Sequence, residues 1–451
     1  MAGVAQVTLF LMGSVVLFLS LLFAIPSFSR HEVRAGMTGL AGALGGAVIL
    51  AAAIHLHPGA TILAGMLVGL GITGWMLLAL PVGRGERINE RPSARVDERT
   101  IMLARWRLKP GTPHYATYYR ENPGHKAMDD AIRSLPGLLS SAAPMADPLA
   151  FAAAEAGFFV AESLREAVDG SVAPTRLTLS PEATSRYLKH LARFFGARNC
   201  GIAEVKDYQV YSHVGRLSDI YGEPIVLIHP YVLVFTFEMA EEMVCTAPRA
   251  QEVMETAHQY SEAAQTAVQM AAWIRATGYE ARAHIDGNYR LILPLAGRDA
   301  GLGEIGRMGL LMTPDLGPRV RLSAVTTTLP LVPDRPGDNL AMLDFCLICR
   351  KCAENCPGRA IPLDDRREID GALRWKINAE KCFQYWNTVG TDCGRCMQVC
   401  PYSHADAPAH NLMRWLVARS GVARRLALRL DDWIYRRKPH SRPGPRWTRL
   451  S

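Results

Sequence analysis

The sequence predicts an α+β chain in three parts, and three observations carry that expectation. Asp, Glu, Lys and Arg are missing from Met1 to Ser29 and again from Ala35 to Gly83. The middle of the chain alternates helical stretches with β-branched and aromatic runs. Eight of the ten cysteines then fall between Cys346 and Cys400. An apolar content of 49% and a formal charge of +8 average over these biases, and 451 residues leave room for more than one domain.

The first part reads as a membrane anchor at residues 1–83. Val7–Ile25, Met37–Ile54 and Ala60–Leu80 are each about as long as a helix needs to be to cross a bilayer. A cleaved signal peptide is the competing reading of the first segment, but no basic region opens it and no clear small-x-small cleavage site follows. Three retained helices are therefore expected, with Gly42-x-x-x-Gly46 and Gly65-x-x-x-Gly69 letting the second and third approach closely. Arg30 and Arg34 lie between the first two spans, and Arg84, Arg87, Arg91, Arg95 and Arg99 follow the third. The positive-inside rule then sets the N-terminus outside and the rest of the chain in the cytoplasm of a cell bounded by an inner membrane.

A basic linker is expected over residues 84–99, broken by Pro92. The domain after it, residues 100–335, reads as mixed helix and strand. "SPEATSRYLKHLARFFGA" opens on a Ser-Pro helix start, and Gln251–Thr277 reads as a long helix stopped at Gly278. "EPIVLIHPYVLVFTFEM" and "YRLILPL" read as strands. Gly301–Gly306, "GLGEIG", matches the dinucleotide fingerprint, but Pro314 and Pro318 arrive where a sustained helix is required, so a tight glycine turn is expected instead. The tail, residues 409–451, is basic and amphipathic, suited to anionic lipid, an acidic electron donor or the chain's own domain. No nucleic-acid module accompanies that charge, so nucleic acid is not an expected partner.

Spacing decides what the cysteines of residues 336–408 are for. Cys346-x2-Cys349-x2-Cys352-x3-Cys356-Pro is the bacterial ferredoxin run for a [4Fe–4S] cluster, whose fourth cysteine serves a second cluster. The partner array that this demands is present as Cys382 with Cys393-x2-Cys396-x3-Cys400-Pro. One cluster is thereby assigned Cys346, Cys349, Cys352 and Cys400, the other Cys356, Cys382, Cys393 and Cys396. A short loop wraps three thiolates around one cubane, and the longer step turns the chain towards its neighbour. Disulfides are disfavoured in a cytoplasm-facing domain, and zinc prefers paired C-x2-C knuckles. Cys200 and Cys245 are left as buried thiols.

A two-cluster electron wire needs no large companion domain, and this chain has one. "VDERTIMLARWRLKPGTPHYATYYRENPGHKAMDDAIRSLPGLL", "GLGEIGRMGLLMTPDLGPRVRLSAVTTTLPLVPDRP", "DFCLICRKCAENCP" and "DDWIYRRKP" occur in order from about Arg95 to Pro439. Together they resemble the corrinoid-dependent reductive dehalogenases. That resemblance implies a nitroreductase-like α/β core holding a base-off cobamide, beside a ferredoxin-like module with two [4Fe–4S] clusters. The absence of a D-x-H-x2-G run agrees with a cobamide not ligated by histidine.

The resemblance also implies site residues. A tyrosine acid matches Tyr260, with a core-packed helix tyrosine as the plain alternative. A supporting cation matches Arg319, with a structural ion pair as its alternative. A polar residue near corrin or substrate matches Asn288, although this chain reads Asp286-Gly287-Asn288 where many relatives have Gly-Asn-Asp. Replacing carbon–halogen by carbon–hydrogen takes two electrons and a proton, so an organohalide substrate and an external low-potential donor (ferredoxin, flavoprotein or quinol-linked) are expected. Two other readings compete: an epoxyqueuosine-reductase-like corrinoid enzyme acting on a non-halogenated substrate, and a membrane electron-transfer subunit without catalysis.

Overall fold

The computed structural model describes residues 2–30, 32–55, 60–79, 91–336 and 339–449. The chain divides into two compact units, one of Met1–Glu86 with Ala405–Pro439 and one of Arg87–His404 with His440–Ser451.

In the first unit the apolar N-terminal residues form α1 (Ala2–Ser29), α2 (Val33–His55) and α3 (Ala60–Ala79). Three membrane spans are expected from the sequence, whereas the described residues yield two helices long and apolar enough to cross a bilayer. These are Gln6–Ser29, with mean hydropathy 2.5, and Val33–Ile54, with mean hydropathy 1.9. The residues on either side of α3, 56–59 and 80–90, lie outside the described residues, and with them Leu80, Arg84, Arg87 and residues 84–90 of the expected linker.

The glycines of α2 have a different role from the one the sequence suggests. A Cβ at Gly46 would fall 2.5 Å from the Leu17 backbone nitrogen, and one at Gly42 would fall 2.6 Å from Ser20 Oγ. The pair therefore lets α2 approach α1, not α3. A Cβ on Gly69 would meet nothing within 4 Å, and the side-chain surroundings of Gly65 lie outside the described residues. Two further helices, Pro408–Arg419 and Gly421–Tyr435, complete this unit, with Ser420 capping the second by accepting from the Ala423 N–H.

The second unit is built on a sheet. Its strands are β1 (Asn199–Glu204), β2 (Tyr231–Glu238), β3 (Ala281–His284), β4 (Glu304–Ile305), β5 (Leu311–Met312), β6 (Val320–Thr327) and a late pair, β7 (Arg367–Ile369) and β8 (Ala372–Arg374). The main sheet runs β1-β2-β6-β3 with every neighbour antiparallel, and β4 and β5 form a separate hairpin. Phe235 pairs with Cys200 on one side and Ser323 on the other, which fixes the register across the three longer strands. Alternation along β2 does the rest. Leu233, Phe235 and Phe237 join one apolar core, while Val232 and Val234 join another on the opposite face.

The long helix, Ala250–Ala276, lies on the first of these faces through Ala263, Ala264, Ala267, Met270, Ala271 and Ile274. Its small residues permit close approach elsewhere too. A Cβ on Gly157, in the Pro148–Ser163 helix, would lie 2.9 Å from the Ala257 carbonyl. Ser180 caps the Pro181–Phe194 helix as its Ser-Pro signal predicts.

Several strand expectations shift. Of "EPIVLIHPYVLVFTFEM" only Tyr231–Glu238 is strand. "YRLILPL" is not a strand: Pro294 opens a helix at Leu293–Asp299, where its missing N–H costs nothing. The neighbouring strand is β3, whose Ala-Arg-Ala-His sequence carries no strand signal and is set by its place beside β6. In "GLGEIG", Gly301 and Gly303 take positive φ and the chain enters β4, so the motif is a tight turn with no helix after it.

Candidate functional site

The cysteines are positioned by short helices and left-handed turns. Cys346 and Cys349 share the last turn of the Leu340–Cys349 helix, and Arg350 reverses the chain at φ 57° so that Cys352 follows on the next helix, Lys351–Glu354. Cys346, Cys349, Cys352 and Cys400 line one cavity, together with Met308, Met312 and Phe345. Arg307 holds the loop around it, donating to the Cys346, Pro362 and Asp364 carbonyls at 3.2, 2.9 and 2.6 Å while stacked over Trp375.

Cys382 comes from the Ala379–Val389 helix, and Cys396 from Arg395–Gln398. Between them, Cys393 and Gly394 take consecutive left-handed φ values of 69° and 60°. No two of the ten cysteines are joined in a disulfide.

Neighbouring thiols act on one another. Burial, then Cys346 and Cys400, raise the Cys352 thiol well above its ordinary value. Burial, then Cys382 and Cys356, do the same to Cys396. Burial, then Cys356, push Cys382 up to about 12. Eight soft sulfur donors, buried or half-buried in one region, suit iron–sulfur cubanes: each thiol needs positive charge beside it before it can stay ionised in such surroundings. Cys200 and Cys245 are buried, and burial is the main cause of the rise of Cys200 to about 12.

Tyr260 projects from the long helix, half-buried, with its ring 6.3 Å from that of Phe158. The cation against it is Arg321, whose guanidinium carbon sits 5.2 Å from the ring centre. Arg321 Nη2 donates to Thr256 Oγ1 at 2.6 Å and to Asp392 Oδ2 at 3.0 Å, and Thr256 Oγ1 donates to the same Asp392 oxygen at 2.7 Å. Loss of water pushes the Tyr260 hydroxyl above its usual value, while Arg321 pulls in the opposite direction. Asp286 and Tyr289 also act on Tyr260, both raising it.

Arg319, which the sequence pairs with Tyr260, is engaged elsewhere. It is 1% exposed, donates to Glu238 Oε1 at 2.9 Å and to the Ser403 carbonyl at 3.1 Å, and also bonds the Met239 carbonyl. These bonds tie the end of β2 to the segment that follows Cys400. Asn288 is likewise committed: its Oδ1 accepts from Arg282 at 2.6 Å and its Nδ2 donates to the Arg165 carbonyl at 2.8 Å. The arginine set against Tyr260 is thus Arg321, two residues from the Arg319 expected from the sequence. "GPRVR" holds two arginines of one strand parity, and only the three-dimensional positions of Glu238 and Tyr260 separate them.

This constellation joins the cysteine region directly. Asp392 precedes Cys393, and Arg321 Nη1 lies 3.9 Å from Met397 Sδ, next to Cys396. Glu252, fully buried, faces Asp392; burial, then that second acid, raise its carboxyl well above the usual range and favour its neutral form. The Glu252 and Asp392 carboxyls share a hydrogen bond, while Arg321 Nε is buried without a hydrogen-bond partner.

A 4Fe-4S dicluster domain family matches residues 345–404. The tetrachloroethene reductive dehalogenase of Sulfurospirillum multivorans is 33% identical over 289 residues, covering 56% of this chain and 57% of that protein. The enzyme of the same description from Desulfitobacterium hafniense is 32% identical over 302 residues, covering 56% and 54%. Among solved structures, the catabolic reductive dehalogenase NpRdhA in complex with 3-bromo-4-hydroxybenzoic acid matches with a TM-score of 0.63 and 26% identity, over 80% of this chain and 50% of that one. The chain is similar to these reductive dehalogenases over part of their length, and it spans little more than half the length of the curated relatives.

Proposed function

We propose that this chain is a membrane-anchored reductive dehalogenase, converting an organohalide, two electrons and a proton into the hydrogenated product and free halide. One observation carries the reading: Arg321 stands over the Tyr260 ring and bonds Asp392, so the cation beside the proton donor is held by the loop bearing Cys393 and Cys396.

In this reading Cys346, Cys349, Cys352 and Cys400 hold one [4Fe–4S] cluster, and Cys356, Cys382, Cys393 and Cys396 hold the other. The second quartet, next to Asp392 and Met397, would hold the cluster nearer Tyr260 and so the one that passes electrons to the site. Tyr260 and Arg321 would border a cobamide, which would supply the reactivity at the carbon–halogen bond. Tyr260 donates the proton, and Arg321 stabilises the phenolate that donation leaves. Asp392 and Thr256 orient Arg321. Asn288 and Arg319 support the site through Arg282, the Arg165 carbonyl and the end of β2. Electrons come from an external low-potential donor.

The anchor comprises α1 and α2, extended by α3, whose 20 residues rise about 30 Å as a helix. The charge distribution of the sequence supports an inner-membrane, multi-pass topology with the N-terminus outside and the catalytic domain facing the cytoplasm.

The test is halide release by protein purified without oxygen, loaded with cobamide and supplied with a low-potential reductant. Tetrachloroethene and 3-bromo-4-hydroxybenzoic acid are the first substrates to try. Halide released in a 1:2 ratio to electrons consumed is the expected result. Cobamide-dependent reduction of a non-halogenated substrate, with no halide from any organohalide, would favour the epoxyqueuosine-reductase-like alternative. Clusters that pass electrons with no bound cobamide would favour the electron-transfer subunit.

A further inference from the structure

We infer that the Pro408–Arg419 and Gly421–Tyr435 helices form an interfacial platform that binds the anionic headgroups of a lipid bilayer. On the second helix Val422, Arg425, Leu426, Arg429 and Trp433 are exposed, and their spacing sets them along one face. The opposite face, Ala423, Arg424, Ala427 and Asp431, is buried. The exposed face of the first helix carries Leu412, Trp415 and Arg419.

These are large apolar side chains left in the open, Trp433 at 57%, Val422 at 47% and Leu426 at 41%. Each is interleaved with an arginine, and no acidic residue stands in either stripe. A water-facing helix gains nothing from this pattern. A membrane boundary satisfies both halves of it, taking the indole and aliphatic groups into the acyl region and the guanidinium groups against phosphate. Arg419 already lies 3.9 Å over the Trp415 ring, with its charged end beside an apolar plate.

The depth of the platform agrees with that boundary. His410 packs edge-on against Phe23 of α1 at 6.2 Å, and its Nε2 shares a hydrogen bond of 2.9 Å with the Tyr435 hydroxyl, joining the two helices. Phe23 is six residues before the end of α1 at Ser29, about 9 Å along the helix axis, and interfacial helices sink about 5–10 Å. Arg30 and Arg34 flank the same end of α1 and α2. The platform thus continues a basic rim, and the occupant it fits is an anionic bilayer surface. The inference rests on reading α1 and α2 as membrane spans.

The test uses the full chain in vesicles of phosphatidylcholine alone or mixed with phosphatidylglycerol. Trypsin cleavage after Arg419, Arg425 and Arg429 is followed by mass spectrometry and normalised to cleavage after Arg367, whose side chain is 72% exposed in the other unit. Cleavage slower by roughly tenfold or more in the anionic vesicles is expected, since each arginine near such a surface is attracted to it. The double variant Arg425→Glu/Arg429→Glu, read at Arg419, should lose that difference.

Equal rates in both vesicles overturn the inference, and slowing only when an acidic carrier protein is added overturns it in favour of a protein partner. An alkaline carbonate wash separates this result from the spans themselves. A chain stripped from both vesicle types contradicts the anchor. Its later salt-sensitive binding to anionic vesicles alone would still support the platform, and binding to neither would overturn that too.

Discussion

Arg321 stands over Tyr260 with 5.2 Å between guanidinium carbon and ring centre, while Arg319 bonds Glu238 and the Ser403 carbonyl instead. Two arginines two residues apart thus have separable roles, and their variants should fail differently. Arg321→Lys keeps a charge beside Asp392 but gives up the planar guanidinium over Tyr260, and is expected to lower kcat by about 10-fold or more with little change in thermal stability. Arg319→Ala is expected to destabilise the fold by about 2–3 kcal/mol, because it removes charge-assisted bonds from a buried clamp. Turnover and unfolding measured on both variants check this. The reverse pattern would return the catalytic role to Arg319.

Tyr260→Phe keeps the ring and its packing, so it should fold normally and lose about 10²–10⁴ of the rate. The pH profile carries a sign. Burial raises the Tyr260 hydroxyl above the ordinary phenol value of about 10, so the acid form persists through neutral and mildly alkaline solution. Any alkaline limb due to Tyr260 belongs above about pH 10. The stability linked to this group is present in full below the unfolded value of about 10 and is lost as pH rises beyond it. Rate measured against pH, with and without the variant, tests the assignment; a Tyr-dependent limb near neutrality would contradict it.

The crossed assignment of the cysteines is testable by single substitution. Cys400→Ser should perturb the same cluster signal as Cys349→Ser, and Cys356→Ser the same signal as Cys396→Ser. Electron paramagnetic resonance of the reduced proteins distinguishes the two signals. If Cys400→Ser instead matched Cys396→Ser, each run would serve one cluster and the crossing would be wrong.

Gly394 takes φ 60°, and a Cβ there would stand 2.3 Å from Glu252 Oε1. Gly394→Ala therefore strains a left-handed turn and drives a methyl group into a buried carboxyl beside the second quartet. Iron content is expected to fall by about half, from roughly eight to roughly four per chain. Unchanged iron would mean that this turn does not shape that cluster site.

Much of the fold was legible where a local rule has one solution. Gln251–Thr277 shows helical patterning stopped by Gly278, and the helix observed is Ala250–Ala276. The Ser180-Pro181 start and the "GLGEIG" turn were readable for the same reason. The spacing of the thiols was legible because a wrapped cubane tolerates few loop lengths. What escaped depends on partners distant in sequence. β3 is a strand because β6 lies beside it, Gly42 and Gly46 meet α1 because of how the apolar helices stack, and Arg321 differs from Arg319 only in which side chains await each.

The measurement that tests the central claim most directly is cobalt and iron per chain, in protein purified without oxygen and with cobamide available. A dehalogenase of this build should retain about eight irons and about one cobalt. Full iron with no retained cobalt would contradict it, leaving two clusters and a large middle domain with no corrinoid to serve.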